Sequence, residues 1–223
     1  MPPETPLLAF DTSAAHCAAA LLWRGEIVAQ AREEMAKGQA ERLMPMIEEM
    51  LAGAGLCWRD LGAIAVGVGP GNFTGIRISV AAARGLALGL GVPAVGVTGL
   101  EVLAFGASGR SRVALPASRG AIYVQDFEGE VALSLPREVV ADDPELWPAE
   151  TSLALIGDWP EPPDAARHPR ITRPDAAARL RAMAHIGARH VAQGASLPAP
   201  FYMRAADAAP PRDPPPVILD DPL

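Results

Sequence analysis

The sequence predicts an α/β protein in which three strands precede a strand–helix–strand unit. Short apolar runs at 7–12 and 63–68 are bounded by turn residues, as buried strands usually are. The run 63–68 leads through a glycine-rich turn into an apolar stretch of helical length at 74–90. Half of the 223 residues are apolar, so the chain can bury a sizeable core.

The elements of the first half follow the order βββαβαβα. The first three strands are predicted at 7–12, 17–23 and 27–34, the last two joined by a hairpin turn. A helix over 41–51 follows, because its apolar residues recur at helical spacing on one face. The remaining predicted elements are a strand at 63–68, a helix at 74–90, a strand at 95–97 and a helix from the cap Thr98 through Phe105.

A polar, glycine-rich break at Gly106–Ser111 predicts a boundary between a first lobe, 1–108, and a reduced second lobe, 109–204. The second lobe is expected to contain strands at 112–115, 121–127, 131–135 and 152–156, an irregular proline-rich stretch at 159–174 and a helix at 175–191. Residues 205–223 are rich in Pro and Asp and are predicted to be a disordered tail.

Composition excludes several classes of protein. The net charge is −7 and Lys37 is the only lysine, which argues against a large basic surface for independent nucleic-acid binding. Cys17 and Cys57 form no C-x-x-C pair and are expected to be buried thiols. His185 and His190 are five residues apart, not at the i, i+4 spacing of a helical metal site, so no metal is predicted. No signal peptide or membrane-spanning segment is evident, which predicts a cytoplasmic protein.

The turn after the strand at 63–68 is the most informative stretch of the chain. Its residues, 69–77, read Gly-Pro-Gly-Asn-Phe-Thr-Gly-Ile-Arg, and either Asn72 or Thr74 could cap the following helix. Bare backbone N–H groups at a helix start suit an anion. Arg77 in the first turn opposes the helix dipole, so an anionic partner is expected, either a protein carboxylate such as Asp11 or a ligand phosphate.

This stretch resembles the Gly-Pro-Gly-Ser-Phe-Thr-Gly-Leu/Ile-Arg signature of the TsaB (YeaZ) family, with Asn72 in place of Ser. Asp11-Thr12-Ser13 resembles the family's Asp-Thr-Ser/Ala motif. Further similar segments are 39–45, with Gln39 where His is usual, 116–123, with Pro116 and Ala121 replacing acids, and 198–204. The resemblance implies two ribonuclease H-like, actin-like (ASKHA) lobes with a mixed sheet, the second lobe degenerate.

The resemblance also implies a function. The chain would be a non-catalytic scaffold for TsaD, the subunit that makes N6-threonylcarbamoyladenosine at position 37 of ANN-decoding tRNAs. TsaE, an ATPase, would join the larger complex, and the isolated chain would form a homodimer. Contact with tRNA would be indirect, and any ATP or ADP would lie at the partner interface.

Two sets of residues are predicted to carry this function, with no catalytic residue and no metal ligand among them. The residues expected to face a nucleotide or anion are Asp11, Thr12, Ser13, Gly69, Gly71, Asn72, Thr74, Gly75 and Arg77. The helices 41–51 and 74–90 are expected to form the partner interface, the second because its small residues allow close helix approach. The interface residues are Leu43, Met46, Ile47, Met50, Ser79, Ala82, Ala83 and Leu86.

The alternative function is a small actin-like-fold ATPase or phosphotransferase that uses Asp11 and the loop 69–75. Such an enzyme needs a second acidic loop and a glycine-rich adenosine pocket. The second half offers Gly157-Asp158 as a weak candidate for one of these, and from Val113 onward it contains no Gly-x-Gly or Gly-Gly. The sequence therefore favours a scaffold.

Overall fold

A computed structural model of the chain describes residues 5–140, 143, 146–147, 153–161, 171–194 and 196–203. The predicted tail at 205–223 lies outside the described residues. The strands, helices and sheet topology given below refer to these described residues alone.

The first sheet has five strands in the order β3-β2-β1-β4-β5. The first three strands pair antiparallel, whereas β4 pairs parallel with β1 and β5 parallel with β4. The strands are β1 (Leu7–Asp11), β2 (His16–Trp23), β3 (Glu26–Glu34), β4 (Ala63–Gly67) and β5 (Ala94–Val97), and the helices between and after them are α1 (Gln39–Gly53), α2 (Phe73–Leu90) and α3 (Gly99–Ala104). The predicted order βββαβαβα and the mixed sheet are confirmed.

The second sheet has the order β11-β10-β6-β7-β8, with β9 also paired to β7. Its strands are β6 (Arg110–Pro116), β7 (Ala121–Glu128), β8 (Val131–Ala132), β9 (Arg137–Val140), β10 (Ala154–Gly157) and β11 (Ile171–Thr172), and α4 (Ala176–Ala192) follows. The strand predicted at 131–135 ends after two residues, since Ser134 turns its hydroxyl and carbonyl oxygens to β7. β9 and β11 were not predicted, because each is short and β11 lies in the stretch expected to be irregular.

Helices cover both faces of the first sheet. Helices α1 and α2 pack on one face, where Leu43, Met46 and Ile47 join the strand residues Phe10 and Ile64 in one cluster. Helix α4 packs on the other face, where Met183 and Ile186 meet Leu7, Ala9 and Val95. A Cβ at Gly187 would lie 2.2 Å from the Cβ of Ala65, so glycine allows α4 to approach β4 closely.

The helix packing corrects the predicted boundary between the lobes. Helix α3 belongs to the first half in sequence, yet Leu100, Leu103 and Ala104 pack against the second sheet. Helix α4 is predicted in the second lobe, yet it packs on the first sheet. The C-terminal segment also returns there, since the amide of Phe201 donates to the carbonyl of Val68 at 2.8 Å. A single cut near residue 108 therefore does not separate two structural units.

Helix α2 also corrects the expectation that no segment could span a membrane. Its 18 residues are apolar enough, by length and composition alone, to do so. One face of α2 is nevertheless built into the core, where Ile76, Val80 and Ala83 pack with β1 and β4. The same composition is typical of a core helix, and this packing accounts for it.

Candidate functional site between the two sheets

A cleft of about 630 Å³ lies between the two sheets. The first sheet contributes the ends of β1 and β2, Arg32 of β3 and the turn after β4. The second contributes the β6–β7 hairpin and Asp158, and α4 contributes its N-terminal half. The cleft lining includes the charged or ionisable side chains of Asp11, His16, Arg32, Asp158 and Arg179 and the hydroxyl of Ser13.

Asp11 is the most constrained of these groups, since only 7% of the residue is exposed. Its Oδ1 accepts the backbone N–H of Ser13 at 3.2 Å, and its Oδ2 accepts the Ser13 hydroxyl at 3.0 Å. The Nε2 of His16 lies 2.9 Å from the same Oδ2. Both carboxylate oxygens are therefore engaged by the β1–β2 hairpin itself.

His16 and Arg32 extend this pair along the cleft wall. The Nη2 of Arg32 lies 3.5 Å from the Nδ1 of His16, and Arg32 also forms an ion pair with Glu34. Sequence reasoning missed both residues. His16 comes to Asp11 through the pairing of β1 with β2, and Arg32 comes to His16 through the pairing of β2 with β3.

The opposite wall holds a second pair. Arg179 of α4 donates from Nη1 and Nη2 to the two carboxylate oxygens of Asp158, each at 2.8 Å. Such a two-point guanidinium–carboxylate contact holds both groups in a fixed orientation. Gly157, just before it, has φ +107°, and a Cβ there would lie 2.2 Å from the carbonyl oxygen of Ala114. Of the sequence candidate Gly157-Asp158, it is Asp158 that lines the cleft.

The glycine-rich turn packs tightly against the β1–β2 hairpin. The amide of Asn72 donates to the carbonyl of Ser13 at 2.6 Å, and a Cβ at Gly71 would lie 2.4 Å from that oxygen. A Cβ at Gly75 would lie 1.9 Å from the carbonyl oxygen of Thr12. Thr12 is fully buried and donates its hydroxyl to the Gly75 carbonyl at 2.7 Å. The space beside these glycines is therefore occupied by the chain's own backbone.

One of the two residues predicted to cap α2 does so. The side-chain oxygen of Asn72 accepts the amide of Gly75 at 3.0 Å, so Asn72, and not Thr74, caps the helix.

The structure divides the nine predicted anion-facing residues into four groups. Those that line the cleft are Asp11, Ser13, Gly69, Gly71 and Asn72. Thr12 is buried beneath them. Thr74 and Gly75 instead border a smaller hollow of about 360 Å³ beside the start of α1, and Arg77 borders neither space.

The expected contact between Arg77 and Asp11 is wrong. Asp11 is paired with His16. Arg77 is exposed, and its guanidinium carbon lies 4.3 Å from the ring centroid of Phe73. That ring is in turn 5.0 Å from the ring of Tyr202. The first-turn arginine therefore contacts an aromatic face of its own helix.

Burial corrects most of the predicted partner interface. Six of its eight residues are at most 7% exposed and belong to this chain's own interior: Leu43, Met46, Ile47, Met50, Ser79 and Ala83. Ala82 and Leu86 are half-buried and also pack against this core. The reason is that helical spacing identifies an apolar face but does not reveal what covers it. Exposed apolar residues of α2 lie elsewhere, with Phe73 at 41% and Leu88 at 87%.

Comparison with known proteins places the chain in a family. A family model for TsaD, tRNA N6-adenosine threonylcarbamoyltransferase, matches residues 26–133. The tRNA threonylcarbamoyladenosine biosynthesis protein TsaB of Escherichia coli is 37% identical over 127 residues, which are 55% of this chain and 54% of that protein. TsaB of Bacillus subtilis is 36% identical over 160 residues, 70% of this chain and 64% of that protein.

A solved structure agrees. YeaZ from Pseudomonas aeruginosa superposes with a TM-score of 0.65 and 29% identity, covering 85% of this chain and 93% of that chain. The chain spans about half the length of the first curated relatives that it matches in sequence. The predicted mixed α/β fold with two sheets is confirmed and is shared with the YeaZ structures, and the chain belongs to the TsaB (YeaZ) family.

Proposed function

We propose that this chain is a non-catalytic accessory subunit of a cytoplasmic complex that makes N6-threonylcarbamoyladenosine at position 37 of ANN-decoding tRNAs. A TsaD-type subunit performs the transfer, a TsaE-type ATPase joins the complex, and this chain contacts tRNA only indirectly. Family membership supports this assignment, since the E. coli and B. subtilis relatives are tRNA threonylcarbamoyladenosine biosynthesis proteins.

The observation that carries the non-catalytic role is the pairing of both acidic groups in the cleft. Asp11 is engaged by Ser13 and His16, and Asp158 by the fork of Arg179. A nucleotide-bound magnesium ion would have to compete with these donors for the carboxylate oxygens. The glycines that could cradle phosphates already have backbone against them.

Reconstitution tests this role. The purified chain, a TsaD-type subunit and a TsaE-type subunit are combined with threonylcarbamoyl donor and tRNA. Omission of this chain should abolish modification, and the variant Asp11→Asn should retain it, because Asn keeps the shape of the side chain. Full modification without this chain would contradict the proposal. Loss of modification in a folded Asp11→Asn protein would contradict the non-catalytic role.

We place the docking surface for TsaD, and for a second copy when the chain is alone, on the exposed face of α2. Phe73, Arg77 and Leu88 are exposed there, and Tyr202 of the C-terminal segment extends the face. Gly85 and Gly89 have no atom within 4 Å of a built Cβ, so another helix could approach closely. Any ATP or ADP would lie at this partner interface.

Two matched variants test this placement. Leu88→Glu should give a folded monomer that no longer captures TsaD, because Leu88 is 87% exposed. Met46→Glu should unfold the chain, because Met46 is 1% exposed and a buried unpaired charge costs several kcal/mol. Circular dichroism, light scattering and a pull-down measure these outcomes. Capture by folded Leu88→Glu would move the interface elsewhere.

The second candidate is a small actin-like-fold ATPase or phosphotransferase. The observation in its favour is that Asp11 and Asp158 face one cleft from opposite sheets, and that its volume lies in the usual range for small-molecule sites. Steady-state phosphate release distinguishes the two candidates. Turnover near or above about 1 per second, abolished by Asp11→Asn, would favour the enzyme.

A further inference from the structure

The last turn of α4 carries two neighbouring side chains that pair with acidic residues of other elements. Arg189 forms an ion pair with Glu130 in the β7–β8 turn, with Nη2 and Oε2 2.5 Å apart. His190 faces Glu101 of α3, with Nε2 and Oε1 3.4 Å apart. The first contact joins α4 to the second sheet, and the second joins α4 to α3, whose residues Val102 and Leu103 pack against the first and the second sheet respectively.

Both ring nitrogens of His190 face acceptors. Nδ1 lies 3.0 Å from the carbonyl oxygen of Gly96 at β5, and Nε2 faces the carboxylate of Glu101. A neutral imidazole has one N–H and one bare nitrogen, so either neutral tautomer loses one of these two bonds. Only the protonated ring donates to both.

Glu101 connects this histidine to the cleft. Its Oε2 accepts the amide and the hydroxyl of Thr98, at 2.8 and 2.7 Å, as part of the capping box of α3. The next residue, Gly99, donates its amide to the carbonyl of Gly69 at 2.9 Å. Gly99, Gly69 and Val102 line the cleft. The carboxylate therefore orders the segment that forms one cleft wall.

We propose that His190 and Glu101 form a proton-controlled clasp between α4 and α3. The protonated ring holds the start of α3, and with it one wall of the cleft, against α4. Loss of the proton removes one of the two bonds of the ring and loosens that wall. Protonation would thus regulate the contact between α4 and α3. This proposal does not depend on the proposed role in tRNA modification.

The surroundings favour the charged pair. The hydrogen bond from His190 to Glu101 raises the pKa of His190 above its ordinary value of 6.5, outweighing burial, which lowers it. Burial raises the pKa of Glu101, but the bonds from His190 and Thr98 outweigh this, and the net pKa falls below 4.5. Arg189 on the same helix opposes the histidine charge and is itself paired with Glu130, while β5 contributes only the neutral carbonyl of Gly96.

Amide hydrogen exchange of the full chain tests the clasp. Exchange of residues 99–104 is measured near pH 5.5 and pH 8.5 and corrected for the intrinsic effect of pH. Protection should be at least about twofold greater at the lower pH. In His190→Gln this ratio should fall to one, because Gln does not titrate. In His185→Gln, a change of the neighbouring histidine on the same helix, the ratio should stay at the wild-type value.

Equal protection at both pH values in the wild type would overturn the proposal, as would a ratio that persists in folded His190→Gln. An NMR titration of the wild-type histidines decides the case even if the variant does not fold. The His190 midpoint should lie above the ordinary value for histidine, whereas that of His185 should lie below it, since burial lowers its pKa. A His190 midpoint at or below the ordinary value would also overturn the proposal.

Discussion

The carboxylate of Asp11 occupies the space that a side chain at position 67 would need. A Cβ built on Gly67 would lie 2.0 Å from Oδ1 of Asp11. Gly67 ends β4, and Asp11 ends the neighbouring parallel strand β1. Because Gly67 has no side chain, the carboxylate of Asp11 can lie beside the end of β4.

Gly67→Ala should therefore destabilise the protein and displace Asp11 from His16. We expect a loss of about 1–3 kcal/mol, as for other overpacked interiors. The matched control is Gly85→Ala, since Gly85 has nothing within 4 Å of a built Cβ and lies in α2. That change should stabilise by up to about 1 kcal/mol, because Ala favours helix over Gly. Urea unfolding measures both, and equal effects would contradict the close contact.

Asn72→Ala should cost about 1 kcal/mol, because the amide of Gly75 loses its cap. Thr74→Ala should change the free energy of unfolding by less than about 0.5 kcal/mol, since Thr74 is exposed and does not cap the helix. Together the two variants show which of the two predicted residues, Asn72 or Thr74, caps α2. A larger loss for Thr74 than for Asn72 would mean that Asn72 is not the effective cap.

Native alkylation should label Cys57 and spare Cys17. Burial, followed by the nearby Glu33, raises the pKa of the Cys17 thiol to about 11, so little reactive thiolate is present near neutral pH. Cys57 is exposed. Mass spectrometry after brief iodoacetamide treatment should show one adduct in the native protein and two in denaturant. Rapid labelling of Cys17 in the folded protein would contradict its burial.

Ser111→Ala should leave stability unchanged or raise it by about 1 kcal/mol. Ser111 is fully buried in β6, and among the described residues its hydroxyl has no hydrogen-bond partner. Removal of an unsatisfied buried hydroxyl removes a desolvation cost. Ser79→Ala is the contrast, because the Ser79 hydroxyl is within hydrogen-bond distance of the Gly67 and Ile76 carbonyls and its loss should destabilise. Thermal unfolding of both variants measures the difference.

His190→Gln should destabilise the protein most between about pH 5 and 6, by about 1 kcal/mol or less. Because the pKa of His190 is raised in the folded state, its stabilising contribution is complete below the pKa of the unfolded chain. That contribution is lost as the pH rises through the folded-state pKa. Because the pKa of Glu101 is lowered in the folded state, its stabilising contribution is complete above the pKa of the unfolded chain. That contribution is lost as the pH falls through the folded-state pKa. Urea unfolding across pH should show the two proteins converging above about pH 8.5. A constant difference would mean that the histidine contributes by packing alone.

Local sequence determines some of these features and leaves others to the tertiary fold. The strand–turn–helix at 63–90 was predicted within one or two residues, because its turn and cap chemistry is local. The partner of Asp11 was predicted wrongly. The motif at 69–77 suggested Arg77, whereas the folded chain places His16 against the carboxylate. Helical spacing identified Leu43 and Met46 as one face of α1 but not what covers that face, which β1, β4 and α2 do. The position of α4 likewise depends on contacts more than 80 residues away in sequence.

The return of α4 to the first sheet constrains the order of folding during synthesis. One face of that sheet, including Leu7, Ala9 and Val95, stays uncovered until residues near 192 have left the ribosome. The amino-terminal half therefore cannot complete its core while it is being made, although all its strands are already present. A nascent chain stalled before α4 should expose a wide aliphatic surface, and it should depend on chaperones that the finished protein does not need.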